Sequence, residues 1–246
     1  MDRLIFTAMS GMTDSMVRQR VIASNMANTQ TIGFRAEVLY SEPVTLQGPG
    51  LEVRAMNEGE VRGANMNPGS IVETGRPLDI ALTGDAMLAL QTEDGSEVYS
   101  RRGDLSISAS GVLQNGDGLP VIGEYGPITL PPGSEATIAP DGTIMVQDPA
   151  APDQPAQPLV RIKLVSPQGS KIAKDLTGMF RVQGGGILPL DENAQVQAGS
   201  LEQSNVDPTE VLVRMVEAQR LFDIRTKMVS TARDIDESGA ALMRIS

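Results

Sequence analysis

Three groups of residues in this chain have types and spacings that could do chemistry. Asp191, Asn193, Gln195 and Glu202 fall on positions 1, 3, 5 and 12 of a calcium-loop spacing. Such a loop needs glycine at its sixth position for a sharp turn, but Val196 stands there and no flanking helices are evident. Chance spacing is therefore the better reading. Asp79, Asp85 and Asp104 could supply the paired carboxylates of a glycoside hydrolase. Acidic residues at alternate strand positions or in turns usually form a solvated face, and that is the expectation for these three. Gly184-Gly185-Gly186 lacks the Lys-Ser/Thr ending of a phosphate-binding loop and reads as a flexible turn.

Composition narrows the chemistry further. The 246 residues include no cysteine, histidine or tryptophan, and only four Phe and three Tyr. Without Cys there are no disulfides, thiol nucleophiles or thiolate metal sites. Without His the usual general base and commonest metal ligand are missing. An enzyme built here would have to work with carboxylates, Lys, Tyr or Ser, so the expectation is a non-enzymatic chain with no cofactor and no bound metal. The net charge of −11 disfavours nucleic acid, which rewards a basic face. Residues 1–40 carry four basic and three acidic groups and residues 207–246 carry six and seven, so the whole excess lies in 41–206. Neutral, mixed-charge ends can approach one another, whereas an acidic middle repels its copies and stays solvated. No apolar run approaches the roughly 18 residues of a membrane span. The short stretch after Arg3 is not read as a cleaved signal, because Asp2 spoils the positive start and helical periodicity continues past it.

The elements that must position these residues fall into three zones. Residues 3–28 read as one helix, in which Ile5, Met9, Met12, Met16, Gln19, Ala23 and Met26 follow a 4-3 coiled-coil spacing. Asp2 is its expected N-cap, and Gly33 lies just beyond its end. The stripe is mostly Met and Gln, which adapt to varied neighbours. Asp207-Pro208-Thr209-Glu210 marks a second helix running to about 241, with Glu210 expected to reach back to the cap. Along it Val211, Met215, Ala218, Phe222, Arg225, Val229 and Ala232 repeat the same spacing, with Leu212, Leu221, Met228 and Ile235 expected to widen the stripe. Arg225 is out of place on such a seam and calls for an acidic partner on a neighbour, or for a drifting seam.

Between the helices the period changes to two. Leu78, Ile80 and Leu82, then Leu105 and Ile107, then Val160, Ile162 and Leu164 alternate with small or polar residues. Turn signals at 93–95, 110–111, 115–118 and 140–142 punctuate these runs. Asp148 to Pro158, rich in proline, reads as an exposed loop. The expected class is α+β, with long terminal helices forming a coiled-coil-like region and a central antiparallel β-rich domain. The expected divisions are an N-terminal helix (1–34), an extended connector with β elements (35–76), a β-rich domain (77–190), a connector (191–206) and a C-terminal helix (207–246). Neither helix can bury its stripe alone. The ends are therefore expected to be mobile in the monomer and ordered by neighbouring subunits.

Three stretches carry a family resemblance. Met9-Ser10-Gly11-Met12, Arg18, Ile22-Ala23-Ser24-Asn25-Met26-Ala27-Asn28-Thr29 and Gly33-Phe34-Arg35 form the first. Leu201-Glu202-Gln203-Ser204-Asn205-Val206 with Glu210, Met215, Gln219-Arg220, Phe222 and Lys227 forms the second. Pro77 through Asp85 and Tyr99-Ser100-Arg101-Arg102-Gly103-Asp104 form the third. Together, and in this order, they resemble the bacterial flagellar rod and hook family of axial proteins along nearly the whole chain. The opening residues and the length are most similar to its proximal-rod members, with the distal-rod paralogue next. Ala86-Met87 departs from the Gly and aromatic residues more usual there.

The resemblance implies a structural subunit of the flagellar basal-body rod, a hollow drive shaft whose inner wall is lined by terminal helices with the β domain outside. It also implies export by the flagellar type III apparatus without a cleaved signal, a place spanning the periplasm, and no membrane insertion. The implied partners are copies of the chain and other rod proteins of the FlgB, FlgC and FlgG types. The assembly interface expected on these grounds comprises the helix-stripe residues Ile5, Met9, Met12, Met16, Gln19, Ala23 and Met26, with Asn25, Asn28, Gly33 and Phe34. On the other side it comprises Ser204, Asn205, Val206, Val211, Met215, Ala218, Gln219, Arg220, Phe222 and Val229. Asn25 and Asn28 are expected to cap the first helix rather than to bond another subunit. Two readings of other classes compete. A carboxylate glycan hydrolase would work without its ends, and a secreted β-domain binder with helical oligomerisation tails would form a small defined oligomer alone.

Overall fold

A computed structural model describes residues 2–45, 55–131, 133–147, 154–175 and 177–243, with the backbone alone at 2–8, 40–45, 55–62, 236 and 239–243. The Pro-rich loop expected from Asp148 lies partly outside these residues. The class is α+β, two helices and an antiparallel β-rich body. The chain forms two compact units. One contains Met1–Ala27, Glu37–Gly63 and Asp207–Ser246, the other Asn28–Ala36 and Ala64–Val206.

In the helical unit, α1 spans Asp2–Ala27 and α2 spans Pro208–Met243. At 1.5 Å per residue α2 is about 50 Å long. The two helices pack together, and the strand β1 (Glu37–Thr45), paired with β2 (Ala55–Ala64), lies against α1. Helix α2 starts where its cap is: Asp207 Oδ1 accepts the amides of Thr209 at 2.8 Å and Glu210 at 3.2 Å, and Pro208 needs no amide partner. The expected return of Glu210 to the cap does not occur. Its carboxylate pairs instead with Arg214 at 2.5 Å, one turn along, where an ion pair competes for it.

The β body is a set of small antiparallel sheets around one main core. Its largest sheet has five strands, in the order Leu164–Val165, β5 (Met87–Gln91), β6 (Glu97–Ser100), Phe180–Val182 and Ile172–Lys174. Two further strands, β3 (Ile71–Glu73) and β4 (Ile80–Leu82), pair with Ser200–Glu202 and Val196–Ala198. The chain's return strands are thus stitched to its outgoing ones. Strand β5 is buried on both faces. Leu88 and Leu90 enter the main core with Ile80, Leu113 and Ile162, while Met87 and Ala89 join Tyr99, Val165 and Phe180 on the other side. That double burial explains an apolar run without alternation. Tyr99 keeps its hydroxyl satisfied inside by accepting the Leu188 amide at 2.8 Å, and burial pushes its pKa up to about 12. The departure at Ala86-Met87 finds its place here, since both side chains are buried.

Truncating Leu90, which has no exposed surface, removes contacts that cannot be refilled. Leu90→Ala should lower stability by about 2–5 kcal/mol, read as a shift in the urea midpoint. Ile187→Ala, at a position 67% exposed, should change it by less than about 0.5 kcal/mol.

Candidate assembly site

The helix pair is organised by one cation. Arg225, on the predicted seam of α2, donates to the Gly11 carbonyl and the Ser15 hydroxyl, and lies 3.4 Å from the Asp14 carboxylate. Asp14 and Ser15 are both buried, as are Val21, Ile22 and Asn25 on the same side of α1. Seam drift is therefore unnecessary: the acidic partner is on the other helix of the same chain.

This pairing decides which face of α1 meets α2, and it is not the face that the 4-3 spacing marks. Met9 is 58% exposed and Met16 52% exposed, Ala23 and Met26 are exposed, and Met12 and Gln19 are half-buried. The Ile5 side chain lies outside the described residues. On α2 the marked residues do turn inward: Val211 and Ala218 are buried, and Met215, Phe222 and Val229 are half-buried. Gln219 and Arg220 are exposed. Opposite that inward face α2 carries a second apolar set, with Leu212, Val213, Val216, Ile224, Met228 and Ile235 each about half exposed.

Asn25 does not cap α1. Its side chain donates to the Glu37 carbonyl at 3.0 Å and accepts the Glu37 amide at 2.8 Å, imitating a strand partner and pinning β1 to the helix. Ser24 donates to the Glu37 carboxylate at 3.0 Å from the same turn. Asn28 does act in the turn beyond the helix, where its carbonyl and side chain accept the amide and hydroxyl of Thr31.

The residues that follow α1 and precede α2 converge in the body on one buried carboxylate. Glu202 holds Arg35 at 2.7 Å through Oε1 and Arg101 at 2.7 Å through Oε2, and Oε1 also accepts the Gly69 amide at 2.8 Å. Its backbone carbonyl accepts the Gly33 amide at 2.8 Å. The Arg101 guanidinium is satisfied by the carbonyls of Leu82, Gly84 and Ala86. Arg35 donates to the Asn67 carbonyl but leaves its Nε without a hydrogen-bond partner. Burial pulls its pKa down to about 10, with the Arg101 charge adding and Glu202 opposing. Asn205 closes the arrangement, accepting the Ala36 amide at 2.7 Å and donating to the Asn65 and Asn67 carbonyls at 2.8 Å. Lys174 sits 3.4 Å above the Phe34 ring and donates to the Arg35 carbonyl at 3.0 Å.

Gly33 is required in this anchor. Its φ is +67° and a Cβ there would meet the Arg101 backbone. Gly33 and Phe34 are buried, Val206 is buried, and Ser204 and Asn205 are half-buried. The sequence shows Glu202 only as the last position of a chance calcium spacing, and Arg35 and Arg101 only within the family-like stretches. A lone acid near two basic residues in separate apolar segments was the available signal.

The discounted chemistry looks different in place. Glu202, once the twelfth position of a calcium spacing, has its oxygens engaged by arginines and an amide. Asp79 departs from the expected solvated face: it is fully buried and accepts the Thr74 hydroxyl at 2.7 Å, because the strand side it occupies is covered. Asp104 is tied to Arg102 at 2.8 Å, and Asp85 is exposed. Among the described residues no group of acidic side chains could hold a metal ion, and no helix is long and apolar enough to cross a membrane.

Comparison with known proteins follows the same partition. The family model described as "Flagella basal body rod protein" matches residues 5–35, and that of the "Flagellar basal body rod FlgEFG protein C-terminal" matches 197–242. The "Flagellar hook protein FlgE/F/G D1 domain" matches residues 81–146. The chain is 37% identical to the flagellar basal-body rod protein FlgF of Salmonella typhimurium over the full length of both. The chain belongs to the FlgF-like flagellar basal-body rod proteins. It is 40% identical to FlgF of Escherichia coli K12 over 95% of each chain, and 28% identical to FlgG of Bacillus subtilis over 95% and 96%. The helices α1 and α2 and the Glu202 anchor fall within or beside the two terminal matches to this rod family.

Two substitutions probe these arrangements. Glu202→Gln leaves two buried arginines without their counter-charge, and should cost about 3–5 kcal/mol in urea unfolding. Arg225→Met should lower the helical signal at 222 nm and destabilise the helical unit by about 1–3 kcal/mol, since the Gly11 carbonyl and the Ser15 hydroxyl lose the donor that joins the helices. Arg225→Met without effect would remove the cation's organising role.

Proposed function

We propose that this chain is a structural, non-enzymatic subunit of the flagellar basal-body rod, placed in its proximal part. The single observation that carries the reading is the pair of open apolar helix faces in a chain that matches FlgF from end to end. A soluble monomer rarely keeps contiguous apolar area in water, and such area marks interaction surfaces. The terminal helices associate in coiled-coil fashion with those of neighbouring subunits to build the wall of a hollow shaft that transmits torque. The neighbours are copies of the chain and other rod proteins of the FlgB, FlgC and FlgG types. Met9, Met12, Met16 and Ala23 on α1 are its contact residues on that side.

Higher identity to FlgF than to FlgG supports the proximal over the distal position. The charge division supports self-association through the ends: residues 1–40 and 207–246 sum to zero, while 41–206 hold the full −11. In this reading the chain leaves the cytoplasm through the flagellar type III apparatus and lies where the rod spans the periplasm.

Deleting 2–27 or 208–243 in a motile strain should abolish swimming and rod completion. The remaining chain should retain the near-UV signal of its buried Tyr99 in the purified state. A truncated chain that still supports motility would end this reading.

A further inference from the structure

Of the asparagines in the chain, Asn115 alone is followed by glycine. That dipeptide is chemically fragile. With no side chain on Gly116, its backbone nitrogen is unhindered and can attack the Asn115 carboxamide carbon to close a succinimide ring. The Gly116 N–Cγ bond forms, the Cγ–Nδ2 bond breaks, and Nδ2 leaves as ammonia with the proton given up by the Gly116 amide. Water then opens the ring at either carbonyl, leaving aspartate or isoaspartate at 115. The net exchange is water for ammonia, and no other reactant is needed.

The β body holds Asn115 off this path. The residue is buried, and its carboxamide oxygen accepts the amides of Asp117 at 3.1 Å and Leu119 at 3.0 Å. Its carboxamide nitrogen donates to the Asp117 carboxylate at 3.0 Å. The Asn115 backbone is fixed as well, donating to the Leu119 carbonyl at 3.0 Å and accepting the Gly118 amide at 2.9 Å. Ring closure must swing the carboxamide face onto the Gly116 nitrogen, which pulls its polar atoms off all three partners. Packing also keeps the glycine in place. A Cβ at 116 would strike the Asp104 carboxylate and the Arg102 guanidinium, which pair at 2.8 Å, and Arg102 reaches on to Asp117 at 2.6 Å. We propose that Asn115-Gly116 is a deamidation site silenced by folding, so that its modification marks chains left unfolded. The mark is damaging. Aspartate at 115 sets a third carboxylate beside Asp104 and Asp117, facing the Arg102 guanidinium that already serves both, and removes the donor that Asp117 accepts. Isoaspartate adds a methylene to the backbone between Leu113 and Val121, both fully buried and hydrogen-bonded to each other at 2.9 Å.

The test keeps the full-length chain in mildly alkaline buffer, either folded or in urea, and follows position 115 by peptide mass mapping with an isoaspartate methylation assay. Unfolded chain should convert at Asn115 about tenfold faster than folded chain, or more. Asp117→Ala frees the carboxamide nitrogen. It should raise the folded-state rate severalfold and leave the rate in urea unchanged, with the near-UV signal of Tyr99 checking that the body is folded. Asn115→Asp, a uniform copy of one product, should lower the urea midpoint, and its failure to fold would be the same loss in a stronger form. Equal conversion of folded and unfolded chain, a folded-state rate that ignores Asp117→Ala, or an unchanged midpoint for Asn115→Asp would overturn the proposal.

Discussion

A helix can give one neighbour only one stripe of its surface, and both terminal helices of this chain carry more apolar area than one neighbour covers. Helix α2 is apolar along Val211, Ala218 and Phe222 and again on its far side along Val213, Ile224 and Ile235. Only the first set meets α1. The choice is made by Arg225, which needs the Asp14 carboxylate and the Gly11 carbonyl, and so turns the polar flank of α1 inward and its methionines outward. A charge inside the pair thereby leaves an adaptable, Met-rich face free for other contacts. In the proposed rod assembly, this face is the one that neighbouring subunits would cover.

The body solves a different problem. Its inner flanking segments, 28–36 and 200–206, hold their places through Glu202 and the two arginines beside the buried side chains of Phe34, Leu201 and Val206. Such a cluster gives little net stability over an apolar core of the same shape, because the charges must be desolvated. It does give directionality, since both carboxylate oxygens, the Gly33 amide and the Asn205 side chain accept only one register of the two segments. Glycine at 33, where a side chain would strike the Arg101 backbone, makes that register possible. The excess negative charge of the middle of the chain stays on the outside of this body, as at Asp85, Glu93 and Asp94. Asp94 is held well below the usual carboxylate range by the Thr92 hydroxyl and the Ser96 amide and hydroxyl in its turn.

The two helices, their boundaries and the change to period two were legible from local patterns, because caps, turns and periodicity are local physics. Asp207 caps α2 as its position suggests, and Gly95, Gly111, Gly118 and Gly142 sit in the marked turns. The inward face of α2 was legible for the same reason along Val211, Ala218 and Phe222, but Leu212, Met228 and Ile235, expected to widen that stripe, stand on the exposed side instead. The inward face of α1 was not, since a Met stripe with good spacing outscores a face holding Asp14, Ser15 and Asn25 on hydrophobicity alone. The missing clue was electrostatic: Asp14 is the sole acid of α1 beyond its first turn, and Arg225 required one. Asp79 and the Glu202 anchor escaped for a related reason. Period-two alternation assigns one face to water, whereas this body buries both faces of several strands, and long-range pairs such as Arg35 with Glu202 leave no local trace. Asn25 was likewise read by its place near a helix end, when its partner is a backbone twelve residues on.

The central claim is that the chain alone leaves its helices incompletely covered, while its β body is complete. Amide hydrogen exchange on the isolated full-length chain tests this most directly, followed residue by residue at neutral pH. Amides of α2 between Val213 and Ile235 should exchange about a hundredfold faster than those of β5 and β6, and should slow once the chain is incorporated into rods. Equal, strong protection of α2 and β5 in the isolated chain would contradict the account, because helices already fully stabilised would have no need of neighbours.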